Sequence, residues 1–343
     1  MVRYRPTEPT IQAAPACDPL TPARDDANLG RQAQVKRRDF LAAASATLGG
    51  LLLNVHDAKE ASSGEAKGFI DAHVHVWTDD VAAYPLAPGF RVANMKPANF
   101  PPSVLMEHAR PVGVTRVVLI QMSFYRYDNS YMLATMKKYP GVFSGVAIVD
   151  QTAPDVGTKI RSLASQGVRG LRIRLGLDDP TTSPEHPSMR NLWREATAAG
   201  VAICPLINPP ALADVDTLCI EHPETRVVID HFARIGIDGE VKPDEVKALT
   251  GLARHPNVYV KTSAFYALGK KKPPYADLSG LIKSVLDAYG PSRLMWASDC
   301  PFQVEGEHSY AASIDLIKEG LDFLSPDDKD WMLRRTAEKV FFS

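Results

Sequence analysis

The chain has 343 residues, a formal net charge of −1 and 45% hydrophobic residues. This is an ordinary soluble globular composition, long enough for one large core or two small ones. There is no basic excess to suggest nucleic acid and no acidic run to suggest a solvating tail.

Residues 1–35 are rich in Pro, Ala, Thr and charge, show no apolar periodicity and are expected to be a disordered leader. The stretch "KRRDFLAAASATLGGLLL" (36–53) follows, with Lys36, Arg37 and Arg38 ahead of an apolar run from Phe40 to Leu53. That run is too short and too rich in Ala and Gly for a stable membrane span. A basic region, a short apolar region and the small-residue segment "ASSGEA" (61–66) have the order of an export signal. The Arg-Arg-Asp-Phe-Leu core resembles a twin-arginine signal. Residues 36–66 are therefore read as signal and linker. The mature chain would begin around Ala58–Lys67 and work outside the cytoplasm, in the periplasm.

From residue 67 to 343 the chain alternates short Val- and Ile-rich runs with helical patterns. The runs are "FIDAHVHVW" (69–77), "RVVLIQM" (116–122), "VFSGVAIVD" (142–150) and "VRGLRIRL" (168–175). They continue with "VAICPLIN" (201–208), "RVVIDHF" (226–232), "VYVKTS" (258–263) and "LMWASDCPF" (294–302). Among the intervening segments, "SMRNLWREATAAG" (188–200) puts Leu192, Trp193 and Ala196 on one face and ends at a capping Gly200. Strands alternating with helices imply a parallel sheet. Eight units in roughly 275 residues predict an α/β fold of the closed (β/α)8 TIM-barrel type, with a doubly wound open sheet as the alternative. The chain has no GxGxxG and no GxxxxGK[ST], which argues against a nucleotide cofactor.

In such barrels the chemistry sits at the C-terminal ends of the strands. Strand 1 carries Asp71, His73 and His75, which share one parity and are expected on one face. Strand 2 ends at Gln121, strand 4 carries Arg172 and Arg174, strand 6 ends at Asp230 and His231, and strand 8 at Asp299. Two imidazoles at i and i+2 with a carboxylate and a third imidazole from other strands suit one divalent ion such as Zn²⁺ or Mn²⁺. Such an ion acidifies water, and Asp299 would be a ligand or take the proton from that water. The metal candidates are His73, His75 and Asp299, and the expected partners of the two histidines are His231 and Asp299. A guanidinium facing the lumen needs a carboxylate. For Arg174, and less so Arg172, that is either a substrate carboxylate or an internal partner such as Asp150 or Glu195. The loop "QMSFYRYDNSYM" (121–132) offers Gln121 and Asn129 as further substrate contacts. His186 and His308 fall in loops at the same end of the barrel, and Cys300 should point away from Asp299. The four cysteines, Cys17, Cys204, Cys219 and Cys300, form neither a CxxC pair nor a disulfide framework.

"DAHVHVW" on strand 1, "VIDHFARIG" on strand 6 and "LMWASDCPF" on strand 8 resemble the amidohydrolase-related family of lactonases and decarboxylases. "GVRGLRI" (167–173) and "DNSYM" (128–132) resemble its lactonase branch. The resemblance covers residues 68–343 and implies a distorted (β/α)8 barrel. It matches His73 and His75 to a metal pair, His231 to an acid/base or ligand, Asp299 to a metal-binding or water-activating aspartate, and Arg174 to the stretch that holds a substrate carboxylate. Strand 5 departs from the decarboxylase pattern, offering Cys204, Pro205 and Asn208 but no histidine, and strand 4 has arginines where a bridging lysine would stand. A two-metal site is thereby disfavoured, and the resemblance allows one metal or a metal-free mode. The leading expectation is hydrolysis of a small lactone bearing a carboxylate or hydroxyls, with Asp299 activating water. The alternatives are a metal-dependent decarboxylase and an exported binding protein without turnover. The partner is a small molecule in each case, and the sequence leaves the oligomeric state open.

Overall fold

The computed structural model describes residues 68–176 and 179–343, so the leader and signal-like segments fall outside the described residues. Eight strands form: β1 (Phe69–Val74), β2 (Val114–Ile120), β3 (Phe143–Ala147), β4 (Val168–Ile173), β5 (Ala202–Pro205), β6 (Val227–Ile229), β7 (Val258–Ser263) and β8 (Leu294–Ala297). They lie in one sheet in chain order, and each pairs in parallel with the next. The ring closes between the segment after β8 and the end of β1 through a parallel bridge of Val74 with Cys300. The Asp299 N–H donates to the His73 carbonyl at 2.9 Å, and the His75 N–H to the Cys300 carbonyl at 2.9 Å. The expected (β/α)8 barrel is thus the observed fold. β6 is its shortest strand, with three residues.

The helices are α1 (Pro102–Ala109), α2 (Ser130–Lys138), α3 (Val156–Ser165), α4 (Pro187–Ala198), α5 (Leu212–Glu221), α6 (Pro243–Gly251), α7 (Ser279–Tyr289), α8 (Tyr310–Lys318), α9 (Pro326–Asp330) and α10 (Thr336–Phe341). Each apolar stripe packs on the barrel, as in α4, where Met189, Leu192, Trp193 and Ala196 are buried. Past α4 the chain turns at Gly200, whose φ of +69° belongs to the left-handed region that glycine adopts without a Cβ clash. Among the described residues no helix is long and apolar enough to cross a membrane.

Strand alternation sorts the side chains into two cores. Residues such as Val117, Leu171, Ile203, Val227, Val260 and Trp296 face the helices. Ile70, Ala72, Val118, Val146, Ala202, Cys204, Val228, Tyr259, Met295 and Ala297 fill the lumen, together with Ala337, Val340 and Phe341 of α10. α10 therefore supplies side chains to an apolar floor in the barrel. Polar groups occur in the lumen further along the strands, towards their C-terminal ends, as the layered filling of such barrels allows.

One expectation about β1 is corrected. Asp71 does not share a face with His73 and His75. Its Oδ2 accepts from the hydroxyl of Tyr310 on α8 at 2.5 Å, and its Oδ1 accepts from the Ser298 N–H at 2.9 Å and the His73 N–H at 3.1 Å. The physical reason is a break in the pairing register of β1 with β2 between Asp71 and Val74, which resets the alternation. Ala72 faces the lumen as strand parity requires, and after the break His73 and His75 also face inward. Asp71 is left to tie β1 to α8, and burial pushes its carboxyl up to about 6 against the hydrogen bonds it accepts.

Candidate active site

Three departures from regular strand geometry assemble the site. The first is the register break in β1. The second is the segment after β8, expected as strand to residue 302, which leaves the strand at Ala297. Asp299 there has a φ of 64°, so its side chain turns towards the barrel axis while buried Cys300 joins the outer core, as expected. The third is the end of β6. Strand was expected to residue 232, but β6 stops at Ile229 and His231, Phe232, Ala233 and Arg234 follow with φ of 52°, 52°, 54° and 61°. Asp230 and His231 are neighbours in sequence and would face opposite sides of a strand. The left-handed turn lets both face inward.

These elements converge on Asp299. Its Oδ1 lies 3.4 Å from His73 Nε2 and 3.3 Å from His75 Nε2, and its Oδ2 lies 3.7 Å from His231 Nε2. The Tyr266 hydroxyl donates to Oδ2 at 2.7 Å. The His73 and His231 rings stand 4.4 Å apart. The expected grouping of His73, His75, His231 and Asp299 is thus present. Burial alone would raise the Asp299 carboxyl, but the surrounding imidazoles outweigh it and hold the group below the usual carboxylate range. His231 is pushed down to about 4, chiefly by burial and against the pull of Asp299, so its ring is neutral at pH 7. Its Nδ1 lies 2.8 Å from the Ser263 hydroxyl.

A buried ionic layer supports this group. Lys261 on β7 has no exposed surface, and its Nζ lies 2.9 Å from Asp230 Oδ1 and 3.2 Å from His73 Nδ1. His73 Nδ1 is also 3.2 Å from Asp230 Oδ1. Burial and then the Lys261 ammonium hold the His73 imidazole well below its ordinary range, so it too is neutral at pH 7. Burial would raise Asp230, but Lys261, His73 and Arg172 together bring it well below the usual range. Sequence reasoning gave Lys261 no role. The available signal was its place at one parity with Tyr259 in a buried strand, where a lone ammonium requires a counter-ion.

Above this layer a cleft opens to solvent, lined in part by His75, Arg172, Arg174, His231, Arg234 and Asp299. Arg172 points inward to Asp230 Oδ2 at 3.6 Å, and Arg174 donates to the Ser123 hydroxyl at 3.3 Å. The internal partners considered for these arginines are engaged elsewhere: Glu195 with Arg161, and Asp150 with Thr152. Gln121 and Asn129, expected as substrate contacts, are not in the cleft lining. The Gln121 amide donates to the Asp128 carbonyl at 2.6 Å, and Asn129 bonds the backbone of Tyr127 and Ile148. Both side chains brace the loop after β2, where buried backbone carbonyls need donors. His186 caps α4, and His308 pairs with the Tyr275 hydroxyl at 3.0 Å. Tyr266 and Arg234 are cleft residues that sequence reasoning missed, because both lie on irregular segments after β7 and β6.

The donor set fits a divalent ion. One ligand atom from each of His73, His75 and Asp299 can be chosen with all three within 4.8 Å of one another. Two ligands of a tetrahedral zinc at about 2.05 Å lie about 3.3 Å apart, close to the 3.4 and 3.3 Å from Asp299 Oδ1 to the two Nε2 atoms. His75 Nδ1 lies 2.9 Å from the Ile120 carbonyl, which can only accept, so Nδ1 carries a proton and Nε2 is the atom turned towards Asp299. His73 Nδ1 lies 3.2 Å from both the Asp230 carboxylate and the Lys261 ammonium, which fix the ring with Nε2 towards Asp299. Cys204, the strand-5 thiol, is not part of this set, and burial pushes it up to about 12.

Residues 70–342 match the amidohydrolase family. The chain is 29% identical over 269 residues to an L-fucono-1,5-lactonase of Burkholderia ambifaria, covering 75% of this chain and 90% of that one. It is 26% identical to a 2-pyrone-4,6-dicarboxylate hydrolase of Comamonas testosteroni, over 68% of this chain and 77% of that one. A crystal structure of an amidohydrolase from Burkholderia multivorans with bound zinc shares the fold with a TM-score of 0.66 at 20% identity, over 80% of this chain and 99% of that one. A match that runs from β1 to the last helix, over a barrel with His73, His75, His231 and Asp299 gathered at its C-terminal mouth, makes the chain a member of the amidohydrolase family and an enzyme of the hydrolase class.

Proposed function

We propose that the enzyme hydrolyses a small lactone bearing a carboxylate or hydroxyls. The observation that carries this reading is the Asp299 carboxylate, held ionised at the base of an arginine-lined cleft with one oxygen towards His73 and His75 and the other towards Tyr266 and His231. The lactonase relatives support the substrate class and favour it over decarboxylation.

His73, His75 and Asp299 Oδ1 would hold a divalent ion, which when bound acts as a Lewis acid and makes water more acidic. Asp299 takes a proton from the attacking water. The water oxygen bonds to the acyl carbon, the acyl carbon–ring oxygen bond breaks, and the proton goes to the released alkoxide. The product is an open-chain hydroxy acid. Neutral His231, facing Asp299 Oδ2, is placed to pass that proton on. The Tyr266 hydroxyl fixes the orientation of the carboxylate. Arg174 and Arg172 orient the substrate through an acidic group, which a planar guanidinium matches in two hydrogen bonds.

The test is Asp299→Asn assayed on a lactone that the parent enzyme opens. Loss of a general base lowers kcat by about 10²–10⁴-fold, with an unchanged thermal transition. Full activity in Asp299→Asn would overturn the proposal.

A further inference from the structure

The barrel closes where its strands are least regular. β8 ends at Ala297, and the chain past it meets β1 at the bridge of Val74 with Cys300. Each buried backbone N–H along this seam needs an acceptor of its own. The Asp299 N–H donates to the His73 carbonyl, the His75 N–H to the Cys300 carbonyl and the Cys300 N–H to the Ser298 hydroxyl, each at 2.9 Å. The N–H groups of Ser298 and His73 both go to Asp71 Oδ1, at 2.9 and 3.1 Å. One carboxylate oxygen thus stands in for a strand carbonyl on both sides of the seam.

The two segments that it joins carry the site. His73 is itself a candidate ligand. Ser298 precedes Asp299, whose φ of 64° is a conformation that a non-glycine residue keeps when its surroundings over-determine it. The His73 residue is held across the seam at both ends, its N–H by Asp71 and its carbonyl by Asp299. The 3.4 Å between Asp299 Oδ1 and His73 Nε2 is set across these bonds.

Asp71 is aimed from outside the strands. The Tyr310 hydroxyl donates to its Oδ2 at 2.5 Å. Tyr310 opens α8, whose start is capped by the Ser309 hydroxyl accepting from the Ala312 N–H at 3.1 Å. Ser313, further along the same helix, accepts from Trp296 Nε1 at 3.2 Å, which ties α8 to β8. Asp71 and Tyr310 are buried, and neither lines the cleft. Their effect on the chemistry passes through His73 and Asp299. A carboxylate without exposed surface is costly to desolvate, and the bonds of this one serve the seam and α8.

We infer that Asp71, aimed by Tyr310, is a positioning residue that sets His73 and Asp299 at ligand distance for a divalent ion. This rests on the ion site of the proposed function.

The test is zinc titration of the full chain, stripped with a chelator, against a chromophoric competitor, with the binding that His75→Ala removes taken as the site's own. Asp71→Ala should raise the zinc Kd by about 10–100-fold, the usual effect of losing a group that orients a ligand. Asp71→Asn keeps an oxygen that accepts both N–H groups and gains an amide that donates to the Tyr310 hydroxyl, so its Kd should stay within about threefold of the parent value. Tyr310→Phe should fall between the two. The visible absorption of the cobalt-loaded enzyme, which follows ligand geometry, should change in the same order. A role in stability alone gives a different result, in which Asp71→Ala melts earlier and binds zinc with the parent Kd. That result, a Kd in Asp71→Asn as weak as in Asp71→Ala, or no zinc bound by the parent would each overturn the inference. If Asp71→Ala does not fold, Tyr310→Phe decides, a raised Kd supporting the inference and the parent Kd overturning it. Zinc binding requires no turnover, so a chain that opens no lactone leaves this result standing.

Discussion

Lys261 Nζ and Asp230 Oδ1 lie 2.9 Å apart with no exposed surface on either residue, and both touch His73 Nδ1. A buried pair of this kind contributes little over an apolar substitute, but breaking it leaves an uncompensated charge. Lys261→Met should therefore lower the unfolding free energy by about 3–5 kcal/mol. The double variant Lys261→Met/Asp230→Leu should recover much of that loss, although it gives up the orientation of His73. Urea unfolding of the three proteins measures both effects. A single variant as stable as the parent would mean that the pair carries no structural role.

The Tyr266 hydroxyl donates to Asp299 Oδ2 at 2.7 Å. Tyr266→Phe removes that donor and leaves the ring, which lies near Phe302 and His308. A hydrogen bond to a charged group is worth about 1.5–3 kcal/mol. If Tyr266 fixes the carboxylate for proton transfer, kcat should fall by about 10- to 100-fold with little change in KM. An equal change in KM with kcat intact would instead make Tyr266 a substrate contact.

The three-ligand set makes a prediction that does not require a substrate. Enzyme stripped with a chelator should bind about one Zn²⁺ per chain, and the thermal transition should rise with free zinc as binding to the folded state alone demands, by about 2.7 kcal/mol at a hundredfold excess over Kd. His75→Ala should abolish the rise, because it removes the ligand whose tautomer is fixed by the Ile120 carbonyl. Absence of stoichiometric binding in the parent, with lactonase activity retained after chelation, would leave Asp299 acting as base without a metal.

The barrel was legible because most strands are Val- or Ile-rich runs, each followed by a helical pattern, and that alternation depends on local composition alone. His73, His75, His231 and Asp299 were legible because ionisable groups at strand ends stand out against apolar runs. What the sequence concealed lies where the backbone leaves the strand. The register break that sends Asp71 to Tyr310, and the positive φ of Asp299 and of residues 231–234, reverse the facing of neighbouring side chains, and no period-two argument anticipates them. Gln121 and Asn129 bond the backbone of the loop after β2 for a related reason. Irregular loops leave carbonyls unpaired, and nearby amides are drawn to them before any ligand arrives.

Ala233 offers a direct measure of the strain in the β6 turn. Its φ is 54°, it is fully buried, and it stands between Phe232 and Arg234 in the same conformation. A left-handed L-residue costs about 1–2 kcal/mol, whereas a glycine there avoids that cost and loses about 0.5–1 kcal/mol to the greater freedom of the unfolded chain. Ala233→Gly should thus stabilise the enzyme by about 0.5–1 kcal/mol, and Ala233→Val, with a branched Cβ at positive φ, should destabilise it by more than that. Neither substitution touches the cleft, since the side chain faces the core. Chemical unfolding of the two variants reads the sign directly. Stabilisation by valine or destabilisation by glycine would show that the turn is relaxed in this protein, and that His231 and Arg234 reach the cleft without stored strain.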